Sequence, residues 1–111
     1  MQLMLGYDEE KALEFIVGRL DKKANKDLLF ELPALTGKLI HAHLEFLHVC
    51  GALDENGDTG DGDYDEDEAF EYLLDVVDEN ASDDRLNALG ILIENFLFLQ
   101  DQFMEQEGLI G

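Results

Sequence analysis

Residues 32–53 read LPALTGKLIHAHLEFLHVCGAL, and this stretch decides the fold. Leu32, Leu35, Leu39, Ala42, Phe46, Val49 and Leu53 recur at alternating spacings of three and four, the repeat that gathers apolar side chains on one face of an α-helix. Ile40, Leu44 and Leu47 widen that face until only Lys38, His41, Glu45 and His48 remain as a narrow polar stripe. Pro33, the one proline in the chain, suits a first helical turn, where an N–H is not needed. The spacing predicts a helix over about 33–53 at the centre of a helical core.

Three more helices flank it. The first is expected over 8–24, with Asp8 as cap, Glu9 and Glu10 in the first turn and Lys22 and Lys23 in the last, as the helix dipole prefers. Leu13, Ile16, Val17 and Leu20 form its apolar face. The link that follows carries Leu28, Leu29 and Phe30, which are expected to close one end of the core. A third helix over 65–79 buries Phe70, Leu73, Leu74 and Val77 behind a very acidic first turn. Ser82 caps a fourth helix over 83–106, which stops at Gly108. No run alternates with a period of two. The expectation is an all-α, small four-helix bundle, one domain over residues 1–111, with an acidic Gly/Asp-rich loop at 54–64.

The fourth helix departs from simple amphipathicity. Leu89, Leu92, Ile93, Phe96, Leu99 and Phe103 make a core face, and Asp84, Asn87, Glu94, Asp101 and Glu105 keep the opposite stripe polar. Ile91 and Phe98 interrupt that stripe seven residues apart. An apolar line on the wet side of a helix points to a second protein surface, so a homodimer contact through Ile91 and Phe98, with Glu94 and Asn95 beside them, is expected. Scattered surface hydrophobes are the ordinary alternative.

Charge is lopsided. The chain has a net charge of −20 over 111 residues, yet 46% of those residues are hydrophobic, so it has the material for a core. Residues 1–53 hold 6 Lys/Arg against 8 Asp/Glu, while residues 54–111 hold Arg85 alone against 19. Such a half repels nucleic acid and anionic membranes and attracts basic partners or divalent cations. Direct nucleic-acid binding is therefore not expected. No stretch offers the roughly 20 apolar residues of a membrane span, and no secretory leader is legible, so a cytoplasmic location is the expectation.

Several groups invite a chemical reading. In the acidic loop, Asp54, Asn56, Asp58, Asp61, Asp63 and Asp65 supply oxygen ligands resembling a calcium loop in composition. The register does not follow: counting from Asp54, the turn position is Thr59 instead of glycine and the closing acid is Asp65 instead of glutamate. No cofactor is expected, with calcium here and zinc or iron at His41, Glu45 and His48 as the alternatives, and a mobile, solvated linker is the principal expectation. His41, Glu45 and His48 share a helix face in a Glu-x-x-His arrangement known from di-metal bundles, but a second copy is missing and the same residues form the polar stripe. Cys50 excludes an internal disulfide, being the only cysteine, and is expected as a small buried hydrophobe. Thr36-Gly37-Lys38 lacks the rest of a phosphate loop, and Ser82 reads as a cap, so catalysis is not expected.

The leading functional expectation is a small acidic binding or adaptor protein, self-associating through the fourth helix and contacting a basic protein partner. A nucleic-acid-mimicking inhibitor of a DNA- or RNA-binding protein is the first alternative. A divalent-cation-binding protein using the 54–68 loop is the second.

Overall fold

The computed structural model describes residues 4, 6–57, 60–78 and 80–109. Its elements are helices α1 (Glu9–Arg19), α2 (Leu32–Val49), α3 (Glu66–Val77) and α4 (Asp83–Gln106), with a 3-10 helix, Lys26–Glu31, leading into α2. Among the described residues no other regular element occurs. The four-helix bundle is as the spacing predicts. Helix α1 packs on α2 and α4, α3 also packs on α2 and α4, and α2 meets α4 across the diagonal.

Side-chain caps start α1, α3 and α4, and Pro33 stands in the first turn of α2. Asp8 accepts from the Lys11 N–H, Asp65 from those of Asp67 and Glu68, and Ser82 from that of Arg85, so each cap satisfies N–H groups that lack a partner inside the helix. Ile16 from α1, Leu39 and Ile40 from α2, Leu73 from α3 and Leu89, Leu92, Ile93, Phe96 and Phe103 from α4 are almost wholly shielded from water. Tyr7 stands edge-on to Phe103 at 5.3 Å between ring centroids. Lys11 pairs with Glu107 at 2.6 Å, tying the start of α1 to the end of α4.

Three helices end sooner than their spacing predicts, α3 by the least, closing at Val77 with Asp78 extended instead of at residue 79. Helix α1 stops at Arg19, not at residue 24. The Asp21 carboxylate accepts from the Lys23 and Ala24 N–H groups at 3.0 Å each, and the Asp21 carbonyl accepts from Asn25 N–H. A short acidic side chain competes here with helical hydrogen bonding, leaving Lys22 and Lys23 outside the helix. Helix α2 stops at Val49, not at residue 53, because Gly51 adopts φ +83°, a left-handed conformation glycine takes without steric penalty.

That early stop reassigns the predicted seam. Val49 is 75% exposed, whereas Leu53 is buried by the returning loop, its N–H bonded to the Leu47 carbonyl at 2.9 Å. Of the three apolar residues expected to close one end of the core, only Leu28 does so; Leu29 and Phe30 are exposed.

The acidic loop is exposed along 61–65, as its composition suggests, and two backbone hydrogen bonds tie it back to the end of α2. Gly60 N–H bonds to the Ala52 carbonyl and Gly62 N–H to that of Gly51, at 2.9 and 2.8 Å, so the chain runs back alongside 51–53. A Cβ on Gly62 would lie 2.0 Å from the Cys50 carbonyl oxygen. Only glycine permits that approach. Beyond it, Tyr64 stands edge-on to His43 and Phe46, which fixes where α3 begins.

Candidate protein-binding face

Helices α3 and α4 lie side by side, joined by a link at residues 78–82. Their surface carries the acidic half of the chain. Arg85 is the one Lys or Arg in residues 54–111, and two carboxylates engage it: Glu31 holds both guanidinium ends at 2.8 and 3.1 Å, and Asp78 takes Nε at 2.7 Å. The guanidinium holds the Glu31 and Asp78 carboxyls below their ordinary range. Its charge is thus tied into a structural clamp linking the entrance of α2 to the α3–α4 link. Across the same two helices, burial raises the Asp101 carboxyl above its ordinary value, with Glu66 and Glu105 pushing it further. Negative charge is crowded along this side.

Apolar surface lies among those acids. Ile91 is 45% exposed and Phe98 61%, so both stand in water as the helical spacing predicts. Beside them, two open hollows of about 370 and 380 Å³ lie between α3 and α4. Both are lined by Phe70 and Glu94, which makes them parts of one trough. Gly90 gives the trough its depth, since a Cβ there would reach the Phe70 ring at 3.4 Å. Asn95 belongs elsewhere: its side-chain oxygen accepts from the Asp21 N–H at 3.0 Å, bracing the turn after α1. Of the four residues grouped as an interface, Ile91, Glu94 and Phe98 follow one surface line, and Asn95 is turned toward α1.

The metal candidates are dispersed. Asp65 caps α3, and Asp54 accepts from the Asn56 N–H at 2.8 Å in a local turn. Asp61 and Asp63 are exposed, and Asp58 lies outside the described residues. His41 pairs with Glu45 at 2.7 Å and lies 3.8 Å from Glu9 of α1, a neighbour the α2 spacing could not supply. His48 is half-buried one turn further along. Among the described residues no three His, Cys, Asp or Glu side chains converge to hold a metal ion. Cys50 is half-buried, with Sγ 3.6 Å from the Leu47 carbonyl.

Sequence reasoning missed a buried polar chain. Tyr7 donates to the Gln100 side-chain oxygen at 2.6 Å, the Gln100 amide reaches His43 Nδ1 at 3.1 Å, and His43 Nε2 reaches the Tyr64 hydroxyl at 2.9 Å. With the Gln100 amide so oriented, Nδ1 accepts, so Nε2 carries the imidazole proton and donates to Tyr64. Burial lowers the His43 pKa from 6.5 to about 4 and raises both phenols above their ordinary range. The chain stitches the N-terminal segment, α2, α4 and the acidic loop through one neutral imidazole. Its signal was available: His43 and Gln100 sit among the apolar seam positions of their helices.

Comparison with protein-family models, with curated proteins and with solved structures finds no match to this chain. Among the described residues no helix is long and apolar enough to cross a membrane.

Proposed function

We propose that this protein is a non-enzymatic binding or adaptor domain that uses the α3–α4 face to hold a basic protein partner. One observation carries the reading: an apolar line and trough set among carboxylates, on the half of the chain whose single cation is engaged by Glu31 and Asp78. Opposite charge steers a partner to such a face, and apolar contact then holds it. The groups whose pKa burial shifts furthest, His43, Tyr7 and Tyr64, lie in a hydrogen-bonded chain within the bundle, which favours a structural role for them over catalysis.

A second copy of this chain is a poorer occupant, because pairing two α3–α4 faces sets one acidic rim against another. Light scattering at moderate salt is expected to give a monomer's mass. A dimer abolished by Phe98→Ser would assign the apolar line to self-association.

The test of partner binding uses the immobilised full chain and a variant carrying Glu66→Gln, Asp67→Asn and Glu94→Gln. Basic proteins retained by the natural sequence at low salt, released by sodium chloride and not retained by the variant, support the proposal. Equal retention by both chains overturns it. If DNA competes with the retained protein, the face occupies that protein's nucleic-acid groove, the mimic alternative.

A further inference from the structure

The α3–α4 trough has a length, a floor and a rim, and together they define its occupant more narrowly than charge alone. Its residues along α4 run from Leu86 to Leu97, a rise of about 16 Å at 1.5 Å per residue. That is roughly three turns of a helix lying alongside. The floor is mostly carbon, Phe70 and Leu74 from α3 and Leu86, Gly90 and Ile91 from α4, with the Asn87 amide among them. The rim is acidic, with Glu66 and Asp67 on α3 and Glu94 on α4. Gly90 is the feature that opens the floor. Any larger residue there would place its side chain against the Phe70 ring, 3.4 Å from the first added carbon.

We infer that the α3–α4 trough is the docking groove for a short amphipathic basic helix, which seats an apolar side chain over Gly90 and Phe70 and places lysines or arginines against Glu66, Asp67 and Glu94. The inference rests on the proposed function and specifies the form of the basic partner. Helices α3 and α4 are packed against each other, and a third helix can lay its ridge of side chains into the groove between two packed helices, as helices do inside bundles. An extended or disordered basic segment would satisfy the rim while leaving the apolar floor uncovered. The charge complementarity is one-sided, because residues 54–111 offer no Lys or Arg besides Arg85. Phe98, one turn beyond Glu94 and 61% exposed, extends the apolar contact past the end of the trough.

The experiment measures fluorescence anisotropy of two labelled peptides with the full-length chain. Both contain the same leucines, lysines and alanines and are about 14 residues long, enough to span the trough as a helix. One is patterned with leucines at helical spacing; the other is scrambled so that no apolar face forms. The patterned peptide is expected to bind about tenfold more tightly, and Gly90→Met, which fills the floor, is expected to remove that advantage while leaving the scrambled peptide unaffected. Ile91→Ser, at an exposed position that does not threaten the fold, serves as the second variant and is expected to weaken the patterned peptide alone. Amide shifts on binding should cluster at Gly90, Ile91 and Glu94. Equal affinity for the two peptides, with both variants silent, overturns the helical groove while leaving the acidic face as a general basic-partner surface. Absence of binding by either peptide at low salt overturns both.

Discussion

His43 illustrates how one side chain carries consequences across the molecule. Its imidazole is buried against Tyr64 and Phe96 and linked to Gln100, and burial lowers its pKa from 6.5 to about 4. Because the folded value lies below the unfolded one, the unfolded chain takes up the proton first as pH falls. Stability is unaffected by this group above pH 6.5 and declines between 6.5 and 4. At 1.36 kcal/mol per pH unit, the loss over that window is about 3 kcal/mol. The check is a pair of urea titrations, of the natural chain and of His43→Gln, across this range: their difference in stability should shrink as pH falls. A His43 imidazole resonance, assigned by its loss in His43→Gln, titrating near 6.5 would contradict the burial argument. Gly62 is the other residue with a singular role. Gly62→Ala sets a methyl against the Cys50 carbonyl and should destabilise by about 1–3 kcal/mol, as overpacking does. The loss of Tyr64 from its place beside His43 should be visible in near-ultraviolet circular dichroism.

Arg85 acts at the level of elements. Its fork joins Glu31, at the entrance to α2, with Asp78, at the end of α3. Arg85→Lys keeps the charge but cannot make the two-pronged contact. Thermal melts should therefore rank the natural chain above Lys, and Lys above Ala, with the gaps narrowing in salt; equal melts for Lys and Arg would reduce the clamp to simple charge. Gly37 offers the reverse case. It lies within α2 and a Cβ there meets nothing within 4 Å, so Gly37→Ala should raise stability by about 1 kcal/mol, the difference in helix propensity. The elements were legible because apolar spacing marks all four helices, with Asp8 and Ser82 capping α1 and α4 and Pro33 in the first turn of α2. The boundaries were less so. Lys22 and Lys23 satisfy the dipole rule for a helix end, yet the Asp21 side chain stops α1 first. Leu53 fits the apolar spacing of α2, yet Gly51 breaks that helix, and the loop returns Leu53 to the core. Ile91, Glu94 and Phe98 of the candidate face were readable from helical position alone. The trough was not, since it exists only once α3 lies beside α4 with Phe70 over Gly90. Of the buried polar chain, His43 and Gln100 were legible as polar residues at apolar seam positions, but their pairing was not, since the Tyr7–Gln100 link spans 93 positions.

For the whole molecule the governing quantity is a net charge of −20 carried on a body of 37 × 25 × 23 Å. At about 10 mM salt the screening length is roughly 30 Å, so nearly every carboxylate feels every other. At about 150 mM it is roughly 8 Å, and repulsion is confined to near neighbours such as Glu66, Asp101 and Glu105. The ion pairs Lys11–Glu107, Arg85–Glu31 and Arg85–Asp78 are weakened by the same screening, but exposed pairs contribute little each. Repulsion among 27 acids against 7 bases should therefore dominate, and the melting temperature should rise with salt over this range. Asp101→Asn removes one carboxylate that burial, and then repulsion from Glu66 and Glu105, set against folding. The Asp101 carboxyl is held above its ordinary 3.8, so its ionised form opposes folding at neutral pH, and the opposition disappears as pH falls below that value. The substitution should stabilise the chain at pH 7, less so in high salt, and have no such effect below pH 3.8. The same salt that firms the free protein should loosen a basic partner, because attraction across the α3–α4 face is screened as repulsion within it is. Measuring melting temperature and peptide affinity over one salt series tests that opposition directly. Two curves moving in the same direction would mean that ion pairs, and not the acidic field, set the stability of the bundle.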